Sequence, residues 1–211
     1  MPIQPDDYLS FIQKEIAPLY FQVKAMNVRA ENFDEQSRSY IAPFNEFRNT
    51  WDHMIKASVM ENAKDGIDNL NEAKVHLFRA GYDIYEIFAS DLGLRIAESI
   101  EKYSSEDISR VFPQYYSDFQ PLIISIHQEL STVRSTKNVD GNGNSDSFQV
   151  YEKNIGKLIE IYKNIQGYIP VLEKEKKRGF LKLIQEHFIT AIITLITSLL
   201  VGYWLFKLGL I

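Results

Sequence analysis

The chain has 211 residues, no cysteine, and 23 Lys and Arg against 28 Asp and Glu, for a formal net charge of −5. This length supports one domain with a substantial core. The acidic balance argues against general nucleic-acid binding, where phosphate neutralisation supplies most of the non-specific affinity, and the missing cysteines agree with a reducing compartment. Charge is unevenly placed: through Val171 there are 17 Lys and Arg against 25 Asp and Glu, a net of −8.

Met1–Ser10 carries two acids but neither a basic nor an apolar stretch, so no signal peptide is expected there. Helical signals dominate from that point on. A first helix is predicted from Asp6 or Asp7 to about Ala30, with Leu9, Ile12, Ile16, Leu19, Val23 and Met26 as its apolar side. Pro18 should kink or split it, because the ring displaces a backbone hydrogen bond. A second helix is predicted from Asp34 and Glu35, which suit the positive N-terminal end, to about Val59. It carries Tyr40, Phe44, Phe47, Trp51 and Ile55, with a bend at Pro43.

The third helix has the cleanest period. Leu70, Ala73, Leu77, Ala80, Ile84, Ile87 and Phe88 form a stripe from about Asp68 to Leu92. Gly93 either ends this helix or is tolerated within it, since Leu92, Ile96 and Ile100 keep the period. Ser104-Ser105-Glu106-Asp107 reads as a new N-terminus. A fourth region, interrupted at Pro113 and restarted near Pro121, should bury Phe119, Leu122, Ile123, Ile126, Leu130 and Val133. Asn138–Ser147 is a solvated loop; its Asp and Asn spacing lacks the Gly and the bidentate Glu of a calcium loop, with Ser145 and Tyr151 in their places. A fifth helix from Phe148 carries Val150, Ile155, Leu158, Ile161, Tyr162 and Ile165. Beyond Gly167 and Pro170, one helix should run from Val171 to the end.

That last helix contains Phe188–Phe206, 19 consecutive residues without a charge. At ~1.5 Å per residue they cover roughly 28 Å, close to the hydrocarbon thickness of a bilayer. Lys174, Lys176, Lys177, Arg178 and Lys182 precede the span and only Lys207 follows it, so the positive-inside rule places the N-terminal part in the cytoplasm. Tyr203 and Trp204 suit the aromatic interface belt. Thr190, Thr194, Thr197 and Ser198 share one face. They are either hydroxyls bonded back to their own helix or the lining of an interface or narrow pore between copies.

Arg48-Asn49-Thr50-Trp51-Asp52-His53 is an Arg-x4-His pattern. Five residues apart on a helix, the two groups share a site rather than pair tightly. An arginine holds phosphate through a fork of donors, and an imidazole moves protons near neutral pH. The following helix carries Asn71-Glu72-Ala73-Lys74-Val75-His76-Leu77-Phe78-Arg79-Ala80-Gly81-Tyr82-Asp83. His76 and Arg79 there are either part of an internal network with Asp83, Glu72 or Glu46, or part of a ligand or RNA pocket with Arg48, Asn49 and His53.

Over roughly Asp34–Phe88, and specifically at Arg48, Asn49 and His53, the chain resembles the HEPN superfamily of helical bundles. The likeness is to its membrane-associated defence members, such as the pore-forming accessory proteins beside some RNA-targeting CRISPR systems. In HEPN ribonucleases the equivalent Arg and His meet across a dimer to cleave RNA, and by similarity Arg48 and His53 would take those roles.

These readings give an all-α fold: an antiparallel, HEPN-like cytoplasmic helical bundle over residues 1–170, a basic juxtamembrane helix over 171–187, and a single transmembrane helix over 188–208. The expected protein is a homo-oligomeric, single-pass defence effector of a bacterial inner membrane. Its head would sense RNA, an oligonucleotide or a partner protein of a defence system, and its span would form a pore or disrupt the lipid. The alternatives are a membrane-tethered, metal-independent endoribonuclease using Arg48 and His53, and a tail-anchored scaffold. No cofactor and no metal set is expected.

Overall fold

Ala63–Glu101 form one helix, α4, on which the other elements are hung. The computed structural model describes residues 1–33, 41–136 and 146–208. The predicted helix start at Asp34 and Glu35, and most of the predicted loop after Lys137, lie outside them. Every regular element among the described residues is helical. The helix α4 starts because Asn62 is extended and its side chain accepts the Lys64 N–H at 3.0 Å. Its predicted stripe is buried from Leu70 to Phe88, apart from a half-buried Ile87. Val75, Phe78, Tyr82, Tyr85 and Ala89 are buried as well, so the middle of α4 is covered on most sides. Gly93 does not end the helix; Leu92, Ile96 and Ile100 pack beyond it.

The chain reaches α4 through two antiparallel passes. The first is α1 (Pro5–Phe11), the π-helical turn π1 (Ile12–Ile16) and α2 (Ala17–Phe33). Pro18 therefore neither splits nor ends this helix. Its ring would press on the carbonyl of Lys14, four residues back, and Lys14 lies inside the widened π turn, where the Ala17 N–H bonds Ile12 O instead. Pro121 repeats the arrangement: π2 (Tyr115–Phe119) stands at the same offset before it, and the Gln120 N–H bonds Tyr115 O. Ile16, Leu19, Val23 and Met26 are buried as predicted, whereas Leu9 is exposed. The second pass is α3 (Ile41–Val59), with Pro43 in the first turn of its described part.

After α4, Ser104 accepts the Asp107 N–H and starts α5 (Ser105–Val111), as its sequence predicts. Phe119 at the end of π2 is half-buried, and the helix α6 (Gln120–Thr136) buries Ile126 and Leu130 and half-buries Ile123 and Val133; Leu122 faces solvent. The last element, α7 (Asp146–Lys207), is a single helix of 62 residues with Pro170 inside it. It runs alongside α4 in the same direction: Glu152 accepts from Tyr85, Gln166 donates to Ser99, and Lys176 donates to the Lys102 carbonyl. The helices α2, α4 and α7 are thus parallel, while α3 and α6 return between them. Phe148, Tyr151, Tyr82 and Tyr85 interlock at the centre, with ring centroids 4.9 to 6.3 Å apart. Gly81 makes room for them, since a Cβ there would overlap the Phe148 ring.

Candidate functional site

Two regions carry chemistry: the α3–α4 seam, which holds the predicted motif, and the exit of α7 from the head.

Along the seam, α3 and α4 are antiparallel, and polar groups from each meet in a row. Thr50 is buried and donates to the Glu46 and Ala73 carbonyls, at 2.9 and 3.3 Å. The His53 ring lies on the His76 ring, with centroids 5.2 Å apart and planes 23° apart. His53 Nδ1 is 3.0 Å from Asn69 Oδ1, and the Asn69 amide donates to the Asp65 carbonyl at 2.8 Å. His76 Nδ1 is 2.6 Å from Glu46 Oε2, both side chains being largely covered. Each imidazole is thereby oriented through Nδ1 by an acceptor on the opposite helix. This is the chemistry of a positioned proton carrier, with Nε2 left for a second partner.

The seam brings together His53 and His76 of the predicted residues, with Asn49 half-buried beside them. It does not bring in Arg48. Five residues at 3.6 per turn put Arg48 about 140° around α3 from His53, and Arg48 is exposed, with no hydrogen bond or ion pair among the described residues. Its charge acts on Asp52, whose carboxyl is held below its usual range by the hydrogen bond from Lys56 first, with His53 and Arg48 adding to it. Arg79 is half-buried one turn past His76. Of the partners anticipated for His76, the fold supplies Glu46. Asn69 is a further site residue, for which neither spacing nor composition gave a signal. Among the described residues no three His, Cys, Asp or Glu side chains gather as a metal set.

At the exit of α7, the Tyr103 hydroxyl donates to Glu173 at 2.6 Å, and Lys102 pairs with the same carboxylate at 2.9 Å. The Tyr103 hydrogen bond, then Lys102, hold the Glu173 carboxyl below its usual range, while burial pushes the Tyr103 phenol up. Arg110 reaches Glu175 at 3.1 Å, and the Lys102 and Lys176 ammonium groups both sit over the Tyr103 ring. Leu172 is the last fully buried residue of α7 among the described ones. From Lys176 to Val201 every residue is exposed. This part of α7 is the one helix among the described residues long and apolar enough to cross a membrane, and none of its apolar stretch is buried. Within it, Thr190 donates to Glu186 O, Thr194 to Thr190 O, Thr197 to Ile193 O and Ser198 to Thr194 O, at 2.8 to 2.9 Å. Each hydroxyl proton is thus consumed inside the helix, and only acceptor oxygens face outward.

Comparison with protein-family models, with curated proteins and with solved structures finds no match for this chain.

Proposed function

We propose that the chain is a single-pass membrane protein whose helical head lies in the cytoplasm and passes a signal to the bilayer through α7. The observation that carries this reading is the exposure of the apolar end of α7. A core helix of a soluble protein hides such a stretch inside its own fold, whereas here ~19 uncharged residues stand clear of the head, at a length that matches the hydrocarbon layer. The lysines and Arg178 between head and span favour the cytoplasmic, anionic face. Because α7 is one helix from Asp146 to Lys207, a shift of the head against it moves the span without an intervening joint.

One helix encloses no lumen, so the span acts on the membrane as one of several copies. We take the assembled protein to be a bacterial defence effector, its head answering RNA, an oligonucleotide or a partner protein and its spans perturbing the lipid. Expression of the full chain should cause depolarisation and dye entry, and the protein should resist carbonate extraction. A chain ending at Glu186 should do neither. A truncated chain that remains toxic or stays in the membrane fraction would refute the reading.

The stacked His53 and His76 favour a second reading, a metal-independent endoribonuclease in the head. It requires RNA cleavage by the full chain that is lost in His53→Ala with the assembly intact. Absence of cleavage by the unaltered protein dismisses it.

A further inference from the structure

The outer face of α3 is apolar and bare. Phe44, Trp51, Ile55 and Val59 are 69%, 63%, 50% and 72% exposed, and Phe21 of α2 beside them is 63% exposed. They recur at helical steps with Arg48 among them, while Thr50, His53 and Ala57 occupy the opposite side, against α4. A groove of about 290 Å³ opens next to the stripe, between Tyr20, Phe21, Phe47 and Trp51.

The size of the patch asks for a protein partner. Aromatic side chains offer ~150–250 Å² each, so Phe21, Phe44 and Trp51 expose about 400 Å². With Ile41, Ile55 and Val59 the patch reaches roughly 800 Å², above the ~300–600 Å² of a monomer's largest patch and equal to one side of a standard interface.

Lipid is excluded by position, on the proposed reading of α7 as the span. Thr50 is level with Ala73 on α4, and Lys102 is level with Glu173 on α7. At ~1.5 Å per residue the stripe stands about 40 Å above the exit of α7 and about 60 Å above Phe188.

The stripe is complementary to itself. Turned antiparallel about the midpoint between Asn49 and Thr50, α3 sets Phe44 against the partner's Ile55 and Arg48 over the partner's Trp51. The first pair closes apolar surface on apolar surface, and the second places the exposed Arg48 guanidinium on an indole face. Arg and Trp are also the residue types that anchor interfaces. We propose that the outer face of α3 is a two-fold contact between two copies of this chain, in that register. The Arg-x4-His motif is then divided: Arg48 joins the copies, and His53 stays in the α3–α4 seam of each.

The absence of cysteine makes the register directly testable in the full-length protein in membranes. Chains carrying Phe44→Cys and chains carrying Ile55→Cys are expressed separately and together, then oxidised. Co-expression should give a cross-linked dimer. Either chain alone should not, since its two cysteines would lie about 16 Å apart along the paired helices, beyond the ~7 Å that a disulfide spans between Cα atoms. No cross-link on co-expression, equal cross-linking by either chain alone, or a bond to another protein instead would each overturn the proposal. Trp51→Glu, which alters an exposed site, should at least halve the mass of the full chain in detergent with its helicity unchanged; an unchanged mass refutes the contact. Carbonate extraction of the same membranes reads the span independently. A retained span without the cross-link removes only the dimer, and a lost span with the cross-link intact removes only the membrane reading.

Discussion

Replacing Asn154 by Leu should stabilise the protein. Asn154 is fully buried in α7, one turn from the buried Tyr151 and Leu158, and neither its Oδ1 nor its Nδ2 has a hydrogen-bond partner among the described residues. An amide taken out of water without a partner costs ~1–3 kcal/mol on the scale of protein mutants. Leucine is close in size, removes that penalty and adds apolar burial, so the gain should be about 2–4 kcal/mol. For a chain of this length, each kcal/mol moves the midpoint by ~2–4 °C, giving a rise on the order of 5–10 °C. Asn154→Ala removes the same penalty but leaves a cavity, and the two effects should nearly cancel. Asn154→Asp buries a charge and should be the least stable of the series. Thermal unfolding of the full chain in detergent, followed by circular dichroism, orders the variants. A fall in midpoint for Asn154→Leu would show that the amide is satisfied in the folded protein, and the reasoning would fail.

Gly81→Ala should cost about 1–3 kcal/mol, against the usual gain of alanine over glycine in a helix, because the added methyl overlaps the Phe148 ring. Phe148→Leu in the same chain should recover part of the loss, read as the same melting midpoint. Burial first, with the Glu152 contact second, raises the Tyr85 pKa far above 10, and burial likewise raises that of Tyr151. Native protein therefore keeps both protons while unfolded chains release theirs near pH 10. Stability should be level with respect to these groups below that pH and fall above it, by up to ~1.4 kcal/mol per unit for each tyrosine. Denaturant titrations between pH 9 and 11 measure the slope, which Tyr85→Phe should reduce by the share of one tyrosine, up to ~1.4 kcal/mol per unit. Glu46→Gln and His76→Gln, singly and together, should give a coupling energy of about 1–2 kcal/mol in a double-mutant cycle, and zero coupling would deny the pair.

The course of the chain was legible wherever one period dominated. Leu70 to Phe88 announced α4, and Leu92, Ile96 and Ile100 carried it past Gly93, because glycine within a packed helix costs only ~1 kcal/mol. The prolines were harder to read. Pro18 and Pro121 each suggest a break, and whether a π turn absorbs the ring depends on what anchors the helix on both sides of it. Leu9 and Leu122 fit an apolar period and yet face solvent, because periodicity marks a face without saying whether another element reaches it. In α3 the ambiguity is complete: Thr50 and Ala57 point one way, Phe44, Trp51 and Ile55 the other, and only the packed structure tells which side is the core.

The candidate site was half legible for a related reason. The spacing of Arg48 and His53 is visible in the sequence, but their 140° separation around α3 matters only once α4 covers one side. What the sequence lacked was the register between the two helices, and a single fact supplies it. The turn between α3 and α4 is centred on Glu61, so residues equidistant from it face each other. His53 lies as far before Glu61 as Asn69 lies after it, and Glu46 likewise mirrors His76; both pairs are in contact. The buried Thr50 and Ala57 fall within one residue of the same symmetry, opposite Ala73 and Gly66. Had Met60–Asn62 been recognised as a tight reversal, the two imidazoles and their acceptors would have followed from counting outward. The polar seam is therefore a property of the α3–α4 hairpin itself, set by the turn and independent of where α7 carries the head.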